Sequence, residues 1–312
     1  MTNKLKAPAL SPDLAHRWGL SHIRAIADTP SSLVYRALQG DRAVVVKALK
    51  PEGSGERPGL GFLRWRDGHG AVRILDQADD VALLEDAGTR LLRSYHGEAG
   101  DEAATDIVVE VLERLHAPSS LPMPTDLTPL DVHFAALFEL EKTQLDADLA
   151  DIVPWCADLA RALIADQRDI KPLHGDIHHD NIIGGDNGAW LAIDPQGLIG
   201  DPAYDVANIF GNPLHARALV LDPERALRLS RRFALVLNRT PRTILSYAAA
   251  HAGLSCAWTL KVYLPQVDTG FLSGNAQKQK IGPLTPSGQD NLGERLGFAR
   301  LARSILLEQF VD

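Results

Sequence analysis

Cysteine is scarce in this sequence, with two in 312 residues. That excludes a small disulfide-stapled scaffold. Cys156 and Cys256 both stand in apolar helical contexts, so they read as small core side chains of a cytoplasmic protein. Long apolar runs are missing as well. The longest, such as Phe233-Ala-Leu-Val-Leu237, fall far short of a bilayer span, and residues 1–8 hold no signal-peptide core. No membrane partner is expected. An excess of positive charge is also lacking, since 32 Lys and Arg are set against 40 Asp and Glu for a net charge of −8. That balance argues against a nucleic-acid partner, and it suits a cationic small substrate. Neither an internal repeat nor a heptad run is visible. What is present is ordinary globular composition, 45% hydrophobic and 23% charged, in a chain long enough for one two-lobed domain.

The patterning changes character along the chain. Ser11 as N-cap and Pro12 at the first helical position start a short helix over 11–19. Strand-like runs at 20–27, 33–38 and 43–49 predict three strands, with turns at 28–32 and 39–42. Residues 50–61, rich in Gly and Pro, read as a mobile connection overlapping a short helix over 60–66. Another strand pair is expected at 72–76 and 81–85. Past Glu85 the spacing turns helical: Ile107, Val108, Val111, Leu112 and Leu115 mark a helix over 103–116. A Pro-rich loop at 117–124 precedes helices over 130–141 and 148–166. Short strands are expected at 172–174, 182–184 and 190–193, and from about Asp222 the chain reads as mostly helical. The expected organisation is therefore α+β, with a small β-rich part, residues 1–87, and a larger helical part, residues 88–312.

Chemistry concentrates in one string, His174-Gly-Asp176-Ile-His-His-Asp-Asn181, followed thirteen residues later by Asp194-Pro195. A carboxylate, a carboxamide and a second carboxylate occur in the order that phosphoryl transfer uses. Asp176 suits a base that takes the proton of an attacking hydroxyl. Asn181 and Asp194 supply oxygen ligands for Mg²⁺, a hard cation. The three histidines of the string invite a zinc reading, but no H-E-x-x-H or C-x-x-C accompanies them. His174 reads instead as a brace for the loop.

Upstream, Lys47 lies within Val44-Val-Val-Lys-Ala-Leu49, where burial demands a partner. It reads as a contact to nucleotide phosphates, with Glu56 preferred over Glu52 as its acidic partner. The turn Thr29-Pro-Ser-Ser32 takes the place of a phosphate-covering loop, so its amides and the hydroxyls of Ser31 and Ser32 would do that work. By position alone, Leu84-Glu85-Asp86-Ala87 would present the backbone groups that read adenine.

Several strings together resemble a known family. They are Leu173-His-Gly-Asp-Ile-His-His-Asp-Asn-Ile182, Trp190-Leu-Ala-Ile-Asp-Pro-Gln-Gly-Leu198, Gly200-Asp-Pro-Ala-Tyr-Asp205 and Ala207-Asn-Ile-Phe-Gly-Asn-Pro213. The resemblance extends to 251–258 and, more loosely, to 70–75 and 83–85 in the N-terminal third. The chain is thus similar to the aminoglycoside/hydroxyurea antibiotic resistance kinases, streptomycin 6-phosphotransferase-like enzymes. The resemblance implies a protein-kinase-like fold, ATP and Mg²⁺ as cosubstrates, Asp176 as base, and Asn181 and Asp194 as metal ligands. It implies a bracing role for Asp205. One departure is Gln196, where a Lys after Asp-Pro is expected. A polycationic aminoglycoside acceptor needs carboxylates around its amines, and Asp201 is the candidate. The expected activity is 6-O-phosphorylation of streptomycin or a related aminoglycoside. The alternatives are a kinase for hydroxyurea or another metabolite, and a nucleotide-binding protein without catalysis. Protein-kinase activity ranks below these, for want of an Ala-Pro-Glu segment after Asp194.

Overall fold

The computed structural model describes residues 10–184, 188–263 and 286–310. The stretch read for a signal peptide, residues 1–8, lies outside them. The chain folds as two compact units that do not follow chain order. The first gathers Met1–Thr128, Pro172–Gly175 and Asp180–Leu198; the second gathers Pro129–Lys171, Asp176–His179 and Ile199–Asp312.

The first unit is built on an antiparallel sheet in the order β1-β2-β3-β5-β4. Its strands are β1 Leu20–Asp28, β2 Ser32–Gln39, β3 Arg42–Leu49, β4 Ile74–Ala78 and β5 Val81–Glu85. Alternate residues face opposite ways along a strand. Leu33, Tyr35, Ala37, Val44 and Val46 therefore share one buried face, joined there by Leu83 and by Trp18, which follows helix α1 (Pro12–Arg17). Trp18 is fixed by donating its indole N–H to Asp76, 2.7 Å away. The opposite face carries Val34, Arg36, Val45 and Lys47 toward a cavity. Lys47 thus stands among apolar neighbours on the half-buried cavity face of its strand.

Helix α2 (Arg57–Arg66) starts three residues earlier than expected, with Pro58 in its first turn, and a 3-10 helix (Pro51–Glu56) leads into it. The Gly/Pro-rich stretch is thus regular structure rather than an irregular connection. A short strand β6 (Arg90–Leu91) and helix α3 (Leu92–Ala99) were not anticipated. Gly100, at φ 89°, separates α3 from α4 (Asp101–His116).

The second unit is helical. The two helices expected over 130–141 and 148–166 each divide, into α5 (Leu130–His133) with α6 (Ala135–Glu141) and α7 (Ala147–Ala150) with α8 (Val153–Ala165). Pro154 explains the second break, since it has no N–H to continue a preceding turn. A 3-10 helix (Pro202–Gly211) follows, then α9 (Arg217–Val220), α10 (Pro223–Leu237), α11 (Pro241–Tyr263) and α12 (Pro286–Glu308). Helix α11 runs through the centre, packed by α6, α8, α10, α12 and the 3-10 helix. Cys156 donates its thiol to the Ala249 carbonyl at 3.4 Å. Both cysteines are fully buried, and burial raises both thiols, Cys256 to about 12. They are inert core residues, as expected. Short strands β7 (Thr128–Pro129), β8 (Lys171–Leu173) and β11 (Leu198–Gly200) fall where the chain passes between units. No helix among the described residues is long and apolar enough to cross a membrane.

Candidate active site

In the first unit the metal-ligand candidates sit at the open end of a hairpin. Strand β9 (Ile182–Gly184) pairs antiparallel with β10 (Trp190–Ala192) and with β6. Asn181 immediately precedes β9 and Ile193 immediately follows β10. Their backbones are joined, Ile193 N–H donating to the Asn181 carbonyl at 2.9 Å. That bond brings Asn181 beside the residue before Asp194.

His174 then fixes the turn around Asp194. Its ring Nε2 lies 2.9 Å from the Ile193 carbonyl, so the Nε2–H tautomer is the one that donates. Its own carbonyl accepts from Gln196 N–H at 2.8 Å and Gly197 N–H at 3.3 Å. The ring is fully buried and meets Phe62 edge-on. Asp194 adopts φ 60°, a left-handed conformation that Asp tolerates better than most side chains. Asp180, next to Asn181 in the string, forms a two-point ion pair with Arg93.

Lys47 Nζ lies 2.6 Å from Glu56 Oε2 and hydrogen-bonds Asp194 Oδ1. Of the two expected partners, then, Glu56 is the one engaged. Burial works against the ammonium, but Asp194 and Glu56 outweigh it, and the Lys47 pKa lies above the ordinary lysine value. Small residues permit this convergence. A Cβ on Gly53 would sit 2.0 Å from the Ser31 carbonyl, and one on Gly59 would sit 2.0 Å from the Pro195 carbonyl. The 3-10 helix and α2 are thereby seated against the Thr29–Ser32 turn and the Asp194–Gly197 turn.

These groups line a cavity of about 240 Å³. Lys47, Glu56, Ser32, Glu85, Ala87 and Asp194 are on its walls; Ser31 is not. The Ser31 hydroxyl is 3.3 Å from the Thr29 hydroxyl, which also accepts from Ser32 N–H at 2.9 Å, so the turn is braced on itself. The Glu85 carboxylate accepts from Arg73 N–H at 2.7 Å. Asp86, to which the sequence reading gave no role, pairs with Arg36 at 2.7 Å and accepts from Gly88 N–H. This fixes the segment that ends the sheet.

In the second unit Asp176 Oδ1 accepts from Asn208 Nδ2 at 2.8 Å. His178 Nε2 is 3.7 Å from the other oxygen. The Asn208 amide is itself oriented, because Asn212 Nδ2 donates to Asn208 Oδ1 at 3.0 Å and to its carbonyl at 2.8 Å. Arg225 donates to the Asn212 carbonyl at 2.8 Å. Sequence reasoning missed this chain. Its signal was there: two asparagines four residues apart in an otherwise apolar run. Behind it, Tyr204 hydroxyl sits 2.6 Å from His133 Nε2 and 2.9 Å from His251 Nδ1. Burial keeps both rings neutral, pulling His133 to about 4 and His251 to about 3, the latter helped by Arg295.

Asp201 does not present a carboxylate to a ligand. It is 3% exposed, caps the 3-10 helix by accepting from Ala203 N–H, accepts from Arg168 N–H, and pairs with Arg239 at 3.0 Å. The carboxylate expected to face the acceptor is instead the cap of a helix start. Asp205 is buried in the same helix.

A solved aminoglycoside phosphotransferase, APH(4)-Ia in ternary complex with AMP-PNP and hygromycin B, superposes with a TM-score of 0.59 at 17% identity, over 94% of this chain and 97% of that one. The fold is therefore that of the protein-kinase-like phosphotransferases, with an antiparallel β-rich N-terminal lobe and a larger helical C-terminal lobe. The family model for aminoglycoside/hydroxyurea antibiotic resistance kinases matches residues 17–262. Streptomycin 3''-kinase of Klebsiella pneumoniae is 38% identical over 78% of this chain and 89% of its own length. Streptomycin 6-kinase of Streptomyces glaucescens is 35% identical over 64% of this chain and 65% of its own. The chain belongs to the aminoglycoside/hydroxyurea antibiotic resistance kinase family, a phosphotransferase acting on an alcohol group.

Proposed function

We propose that the protein transfers the γ-phosphoryl group of ATP to a hydroxyl of streptomycin or a close aminoglycoside, in the cytoplasm. The reading is carried by Lys47, held between Glu56 and Asp194 on the wall of the 240 Å³ cavity. A pre-paired, charged lysine beside a metal-ligand carboxylate is what nucleotide phosphates require. The apolar walls at Val34, Val45 and Leu84 suit a flat base, and the Glu85–Ala87 backbone its polar edge. Residues 1–87 would then serve nucleotide binding, and 88–312 the catalytic loop and acceptor.

Mg²⁺ fits the donors present: a carbonyl oxygen of Asn181 and the half-exposed carboxylate of Asp194, both hard ligands at one hairpin end. When bound it would neutralise phosphate charge. Asp176 takes the acceptor's proton as the acceptor oxygen bonds to the γ-phosphorus and the bond to the ADP oxygen breaks. Asn208 aims that carboxylate. Asn208→Ala should lower kcat by about tenfold with the KM for ATP unchanged, the cost of one hydrogen bond to a charged group. Steady-state kinetics check this, and an unaltered kcat would remove Asn208 from the mechanism. Asp201 has no part in acceptor binding, its carboxylate being occupied.

The acceptor is tested by ADP release over a panel of aminoglycosides, hydroxyurea and metabolites. Streptomycin is expected to give turnover, and release with hydroxyurea alone would replace it. A 3''-hydroxyl is favoured over the 6-hydroxyl by the broader coverage of the 3''-kinase relative. Phosphorus NMR of the product separates the two.

A further inference from the structure

Arg36 stands on the cavity-facing side of β2, opposite Val45 of β3, which in turn pairs with Leu84 of β5. From there its side chain crosses β3 to the segment that follows β5. Nη2 donates to Asp86 Oδ1 at 2.8 Å and to the Gly88 carbonyl at 2.8 Å, and Nε makes an ion-pair contact with Asp86 Oδ2 at 2.7 Å. The Asp86 side chain is 8% exposed, so the pair is largely shielded from salt and water. Asp86 Oδ1 also accepts from Gly88 N–H at 2.9 Å, a local turn of the kind Asp favours. Arg36, Asp86, Ala87 and Gly88 all line the 240 Å³ cavity, whose walls lie within the first compact unit.

Residues 86–88 belong to no helix or strand, so side-chain bonds must set their backbone. Gly88 N–H is taken by Asp86 and its carbonyl by Arg36, while Glu85 N–H donates to the Arg73 carbonyl at 3.0 Å. Ala87, between them on the cavity wall, has no hydrogen bond among the described residues. Lys47, on the same face of the sheet, is held by Glu56 and Asp194 and does not compete for Asp86. A backbone held in one conformation offers a ligand one order of donor and acceptor; a loose one offers several. We propose that Arg36 is a positioning residue for the nucleotide base, holding the 86–88 backbone through Asp86 and Gly88 so that Ala87 meets one base in preference to others. The proposal rests on the reading of this cavity as the nucleotide site.

The test measures binding of AMP-PNP, GMP-PNP and inorganic tripolyphosphate to the full chain by calorimetry, with melting temperature followed alongside. Arg36→Met keeps the stem and removes the guanidinium. AMP-PNP affinity should fall about tenfold. The preference for AMP-PNP over GMP-PNP should narrow by about fivefold. Tripolyphosphate, which has phosphates and no base, should bind as it binds wild type, because Lys47 keeps its partners. Arg36→Lys keeps a counter-charge for Asp86 but lacks a planar group that spans both partners. It should recover the melting temperature and only part of the base preference, and it serves if Arg36→Met does not fold. A pair that merely holds the fold together gives the opposite split, a lower melting temperature with the base preference unchanged. That result in either folded variant overturns the proposal, as does a loss of tripolyphosphate binding in step with AMP-PNP. If wild type binds none of the three probes, the nucleotide reading falls and Arg36 with it. If wild type binds AMP-PNP and the variants match it for both analogues, only the role of Arg36 falls.

Discussion

Asp176→Asn should cut phosphoryl transfer by about a thousandfold while nucleotide affinity and melting temperature stay close to wild type. The substitution removes the proposed proton acceptor and keeps the shape. Asn208 Nδ2 can still donate to a carbonyl oxygen at that position, so the buried network from Arg225 through Asn212 is not left open. The groups proposed to bind the nucleotide, Lys47, Glu56 and Asp194, belong to the other compact unit and make no contact with Asp176 in it. Single-turnover phosphate transfer and AMP-PNP binding, measured on the same preparation, separate chemistry from affinity. A variant that turns over at the wild-type rate would sink Asp176 as the base. Loss of AMP-PNP binding in step with activity would mean that Asp176 serves the nucleotide instead.

The second large effect is steric. At Gly197, φ is 73°, and an added Cβ would lie 2.1 Å from the Pro58 carbonyl carbon and 2.4 Å from Gly59 N. No side chain rotation relieves a clash with backbone. Gly197→Ala should therefore cost about 3 kcal/mol, the sum of left-handed strain and overpacking. That corresponds to a fall of about 10 °C in melting temperature. The damage should also reach the nucleotide, because Gly197 N–H bonds the His174 carbonyl that frames Asp194, and Pro58 opens the helix that follows Glu56. Gly55→Ala is the control. It lies in the Gly/Pro-rich stretch 50–61 that holds Pro58, has an ordinary φ, and a Cβ there meets nothing within 4 Å. It should melt like wild type. Equal melting temperatures for Gly197→Ala and Gly55→Ala would refute the close-packing account.

Much of the fold was legible because its signals are local. Strand-like runs bounded by turn residues marked all five strands of the main sheet to within about two residues, and the helical stripe at Val108, Val111, Leu112 and Leu115 marked α4. Errors came where long-range contact overrides composition. Glycine at 53 and 59 reads as looseness in sequence; in the fold it is the only residue small enough for the approach made there. Asp201 reads as a free carboxylate after a metal-ligand segment; in the fold Arg239, thirty-eight residues on, occupies it.

The sequence by itself determined the inventory of the site: an ordered carboxylate, carboxamide and carboxylate on a short loop and hairpin, and one lysine in a strand. These follow from residue type and spacing, which chemistry constrains directly. Tertiary structure alone decided which groups act together. Lys47 meets Asp194 across 147 residues, and Asn208 meets Asp176 across 32. No local pattern encodes such pairs, because they arise from backbone packing through glycine contacts and from the need of buried polar atoms for partners.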